Sequence, residues 1–90
     1  MYRLVLADSF RKTYKNLCAR DNRLKRKIVK SLKQLASDPK HPSLKAHKVN
    51  TRRFGERWAI WVSGNIRIIW DYSRERKLVI LVLSIVDKVE

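Results

Sequence analysis

One cysteine, two prolines, two glycines and two histidines are all that 90 residues supply of the types that make cross-links, chain breaks and metal cages. Cys18 alone excludes an internal disulfide, and with His41 and His47 as the only histidines a four-ligand zinc cluster is excluded too, so neither a structural metal nor a cofactor is expected. No apolar run nears the roughly 18 to 20 residues of a membrane span. The amino terminus runs from Met1-Tyr2-Arg3 straight into a short apolar alternation, without the apolar core of a signal peptide. A cytoplasmic protein with no membrane partner is the expectation. Acid is also scarce, with 8 Asp and Glu against 22 Lys and Arg, a formal charge of +14. What is abundant is apolar: 44% of the residues are hydrophobic, so the chain is not a disordered basic tail. Its length allows one domain over residues 1–90 and no second independent core.

The positive charge is concentrated. Between Arg11 and Arg57 sixteen basic residues meet three acidic ones, Asp21, Asp38 and Glu56. Such density repels itself in a small domain unless a polyanion or an acidic protein screens it. Nucleic acid is the first partner this suggests. A plain solvated basic surface is the alternative.

Periodicity separates the chain into two halves. Tyr2 to Ala7 alternates as a short strand. Asp8 or Ser9 offers a cap for a helix in which Phe10, Tyr14, Leu17 and Cys18 share one face, ending near Arg20, with Asp21-Asn22 as the break. Leu24, Ile28, Leu32 and Leu35 form the stripe of a second helix, covered elsewhere by Lys and Arg and stopped at Asp38-Pro39. After a loop through Pro42 the signal turns to strands: a weak one at Ala46 to Val49, then Arg57 to Val62, a Ser63-Gly64-Asn65 turn, and Ile66 to Tyr72. Leu78 to Val86, apolar except for Ser84, reads as a strand covered on both faces, inside the sheet. The expected class is α+β: an N-terminal strand, a helical hairpin, then a three- to four-stranded antiparallel sheet with both helices on one face.

Period two sorts the hairpin. Trp58, Ile60, Val62, Ile66, Ile68 and Trp70 fall on one face, and Arg57, Ala59, Trp61, Arg67, Ile69 and Asp71 on the other. With helices over the first set, Arg57 and Arg67 project from an uncovered, charged face beside the basic stretch Lys45 to Arg53, and clustered cations there suit a phosphate backbone. Asp71 is an available salt-bridge partner for Arg67. Trp58 and Trp70 belong to the core by parity, leaving Trp61 for base stacking.

In order and spacing, the Asp8-Ser9-Phe10 opening, the two basic helices, His41-Pro42-Ser43-Leu44-Lys45-Ala46-His47-Lys48-Val49, Ile66-Arg67-Ile68-Ile69-Trp70 and the apolar strand ending in Asp87-Lys88-Val89 resemble the RelE/ParE superfamily of bacterial toxins. The resemblance implies a small basic toxin neutralised by a co-expressed acidic antitoxin. RelE-like members cut messenger RNA in the ribosomal A site, and ParE-like members poison DNA gyrase. It further implies that Arg67 binds the phosphate, that Arg57 and Lys48 position the backbone, and that His47 carries a proton. Lys45, Arg52, Arg53, Trp61 and Arg74 are then the RNA-binding candidates. Many active RelE-like toxins carry a terminal His and Tyr where this chain has Val86 and Glu90, and a second basic hairpin residue where it has Ala59. These departures leave open a gyrase inhibitor without nuclease activity and an inert binding module with the same fold. No metal or small-molecule cofactor is needed, since attack by a 2′-hydroxyl requires only a base, an acid and cations for the phosphorane.

Overall fold

The apolar stripes of the two helices meet a single sheet. The computed structural model describes residues 1–87. Its order is β1 (Arg3–Leu6), α1 (Asp8–Cys18), α2 (Asn22–Ser37), a single 3-10 turn (Pro42–Leu44), β2 (His47–Thr51), β3 (Gly55–Ser63), β4 (Ile66–Tyr72) and β5 (Val79–Val86). The strands lie in the order β1-β5-β4-β3-β2. β2 to β5 pair antiparallel with their sequence neighbours, and β1 adds to β5 in parallel, Leu4 beside Ile80. β5 is therefore interior, which is why its residues read as a nearly continuous apolar run.

Phe10 and Cys18 from α1 and Ile28 and Leu35 from α2 pack with Ile60, Val62, Ile68, Trp70, Ile80 and Val82 from the sheet. Ile28, Leu35, Ile60, Ile68, Ile80 and Val82 are fully buried; each such side chain contributes about 1.5–3 kcal/mol of burial. Parity on β3 and β4 thus sorts the core side as expected, with both helices over it.

Two local expectations change. Neither Asp8 nor Ser9 caps α1: Asp8 is already its first residue, the cap position falls on Ala7, and the Ser9 hydroxyl donates to the Leu83 carbonyl, tying α1 to β5. Asp21 does cap α2, its Oδ1 accepting from Leu24 N at 2.9 Å. Leu78 is not the first residue of β5; it is 59% exposed with a left-handed φ of 57°, because the chain must reverse there before Val79 can enter the sheet.

Candidate nucleic-acid interface

The face of the sheet turned away from the helices carries the candidate site, and its middle is not charged. Val49, Ala59 and Ile69 are buried there beneath Phe54, Leu83 and Val86. The expectation of a charged face therefore holds for its two ends and fails between them. The reason is register: Val49 lies beside Arg57 and Ile69 beside Ala59, so apolar side chains from three strands alternate with the charged ones and close over each other.

At the hairpin end, Trp61 and Arg67 are register partners, and Arg67 also faces Val86. A bulge between Trp61 and Ser63 bends β3 at this point. Both side chains are held by one carbonyl: Trp61 Nε1 donates to Gly64 O at 3.0 Å and Arg67 Nη1 to the same oxygen at 2.8 Å. Gly64 turns with φ 52°, which a Cβ would strain. Arg67 Nε is buried and makes no hydrogen bond among the described residues. Lys45 Nζ sits 4.8 Å from the Trp61 ring centre, a cation–π distance. The Trp61 indole reaches the edge of β3 left free before β2 begins, beside Lys27, Lys30, Ser43 and Leu44.

His47 lies between the two ends, paired with Ala59 and exposed. Its Nδ1 donates to the Lys45 carbonyl at 2.9 Å. A carbonyl can only accept, so the proton of the neutral ring is on Nδ1 and the lone pair is on Nε2.

The other cations gather elsewhere. Arg57 Nη1 donates to Asp71 Oδ2 at 3.0 Å and its Nε to the Phe54 carbonyl at 2.9 Å. Asp71 is thus the partner of Arg57 and not of Arg67, because both flank the Trp58–Trp70 pair whereas Arg67 pairs with Trp61 further along the ladder. Lys48 falls in register with Trp58, on the opposite strand parity from Arg57, with Nζ 5.0 Å from that ring and 3.9 Å from Glu56. Lys48, Arg57, Asp71, Arg74 and Arg76 line a polar cleft of about 640 Å³ at the far end of the sheet. Arg57 and Arg67 are four residues apart along the ladder, about 13 Å. Arg53 lies 5.2 Å over Phe54, and Arg52 is exposed in the same turn. Of the terminal departures, Val86 is beside Arg67 and offers no proton chemistry, while Glu90 lies outside the described residues. Among the described residues no three of His, Cys, Asp and Glu converge as a metal site requires.

Sequence reasoning missed Phe54, Arg76 and the Gly64 carbonyl. Arg76 was one more cation in a polar turn, and a carbonyl acceptor leaves no mark in a sequence at all.

No family model and no curated protein matches the chain. Solved structures do. A YoeB/ParE toxin from Agrobacterium tumefaciens superposes with a TM-score of 0.75 at 17% identity, over 100% of this chain and 99% of that one. A chain of the heterotetrameric YoeB–YefM toxin–antitoxin complex from Staphylococcus aureus gives 0.71 at 14%, over 93% of each. YafQ from E. coli gives 0.71 at 13%, over 94% of this chain and 91% of that one. The chain has the same fold as these three toxin structures.

Proposed function

We propose that this chain is the toxin of a toxin–antitoxin pair, and that it cleaves messenger RNA on the ribosome without a metal. The carrying observation is the Arg67 guanidinium at the hairpin end of the sheet, in no ion pair among the described residues and next to Trp61 and Lys45. A guanidinium without a carboxylate in a cationic setting is a place for a phosphate oxygen. His47 Nε2 takes the proton of a 2′-hydroxyl; that oxygen attacks the neighbouring phosphorus, and the bond to the 5′-oxygen breaks as solvent water protonates it, leaving a 2′,3′-cyclic phosphate. Arg67 carries the charge of the phosphorane. Arg57, already neutralised by Asp71, positions the strand and adds little to the transition state. An acidic antitoxin covers the same face, its apolar residues on Phe54, Leu83 and Val86 and its carboxylates at the cationic ends.

A second reading is favoured by Val86 standing where proton chemistry is expected: a protein-binding inhibitor of gyrase without nuclease activity. Expression of the chain without a partner separates the two, with messenger RNA ends mapped in translating extracts and gyrase supercoiling assayed in parallel. Ribosome-dependent cuts are expected. Arg67→Ala should reduce them by about a hundredfold or more and His47→Ala by about a hundredfold, whereas Arg57→Ala should reduce them far less. Intact RNA with blocked supercoiling overturns the nuclease in favour of the inhibitor. Intact RNA, normal supercoiling and normal growth leave an inert module.

A further inference from the structure

On the helix side of the sheet, where α2 gives way to the 3-10 turn, lies a cavity of about 680 Å³ that the open face does not use. Its walls are aromatic: Tyr2, Trp58, Trp70 and Tyr72. Trp58 and Trp70 are nearly parallel with centres 5.9 Å apart, Tyr72 stands edge-on to Trp70 at 5.1 Å, and Tyr2 tilts against Tyr72 at 5.8 Å. Lys40 and Lys45 line it as cations, and no carboxylate among the described residues does. Trp70 is 1% exposed, and its Nε1–H is buried without a partner among the described residues.

Each feature narrows the occupant. Aromatic walls favour a flat ring. Two cations with no acid select an anion and reject a cationic ligand. The volume falls in the range of small-ligand sites.

We propose that this cavity binds a nucleotide, its base against the aromatic walls and its phosphate on Lys40 and Lys45. The nucleotide is either free or one residue of an RNA strand. Lys45 also lies over Trp61, so it joins this site to the open face around the edge of the sheet. The site stands on the other side of the sheet from His47 and Arg67, so occupancy and cleavage are separable: loss of either leaves the other measurable.

The test is an amide and indole NMR titration of the full chain with adenosine monophosphate, adenosine, ribose 5-phosphate, and a short RNA with 2′-O-methyl groups that block cleavage. Adenosine monophosphate should shift the Trp70 indole N–H and leave that of Trp61, held on Gly64 O, in place. The Trp70 signal is identified by its absence in Trp70→Phe, or by sequential assignment of the parent chain should that variant not fold. Lys40→Glu, an exposed change, should weaken adenosine monophosphate about fivefold and leave adenosine unaffected. Tighter binding of the RNA than of the monophosphate assigns the site to an RNA strand; equal binding assigns it to a free nucleotide. A motionless Trp70 indole, ribose 5-phosphate binding as well as the full nucleotide, or indifference to Lys40→Glu overturns the proposal.

Discussion

His41 and His47 are fixed in opposite tautomers by one backbone atom each. The Ser43 N–H donates to His41 Nδ1 at 3.1 Å, so the neutral His41 ring keeps its proton on Nε2, whereas His47 Nδ1 donates to a carbonyl and leaves the lone pair of that ring on Nε2. Only His47 is poised as a base through Nε2, a distinction that two histidines in one basic stretch do not disclose. Cys18 is the opposite case, legible from its place in the Phe10-Tyr14-Leu17 stripe. Burial, and secondarily Asp21, pushes its thiol above the ordinary range. The folded chain thus holds the proton more tightly than the unfolded one. Stability from this group is intact below the unfolded thiol value, about 8.5, and falls as pH rises towards the folded one. Between about pH 8 and 9.5, the urea midpoint of the parent chain should fall relative to that of Cys18→Ala. Parallel midpoints across that window would remove the linkage.

Elements were readable where local chemistry decides them and obscure where distant pairing does. The Ser63-Gly64-Asn65 turn, the stop at Asp38-Pro39 and the break at Asp21 all act within a few residues, and all stand where the sequence puts them. The parallel docking of β1 on β5 joins positions more than seventy residues apart and has no local signature. The apolar floor of the open face was hidden for a related reason. Parity gives the side of a residue, but Val49, Ala59 and Ile69 become a buried group only once three strands are in register. The two groups of cations were missed likewise, since Arg57 and Arg67 share a face and are held apart by their positions along it. Capping is where a short-range device can be measured. Asp21 satisfies one of the free N–H groups opening α2, and that helix brings Ile28 and Leu35 to the core. Asp21→Ala should destabilise the chain by about 1 kcal/mol in urea unfolding, with Asp21→Ser recovering most of it. Equal losses for both variants would show that the charge of Asp21 matters and its cap does not.

For the molecule as a whole the governing quantity is a charge of +14 on a radius of gyration of 12.1 Å. Few acids are available to offset it, and two of them, Glu56 and Asp71, are committed to Lys48 and Arg57. The screening length is about 10 Å at 0.1 M salt, comparable with the size of the fold, so at low ionic strength most of the cations act on each other across it. Unfolding separates them. The folded state is therefore the one that self-repulsion penalises, and mobile anions or a bound polyanion relieve that penalty. Raising sodium chloride from about 20 mM to about 0.5 M, across which the screening length drops several-fold, should raise the melting temperature. A single-stranded oligonucleotide should do the same at far lower concentration, with a gain that disappears as salt competes. Binding at the open face adds a local requirement to this general one. Arg67→Ala should remove more of the oligonucleotide's stabilisation than Arg23→Ala on the solvated side of α2, although each removes one charge. Equal losses would make the interaction a matter of net charge, and a melting temperature indifferent to salt would remove self-repulsion as the force the partner relieves.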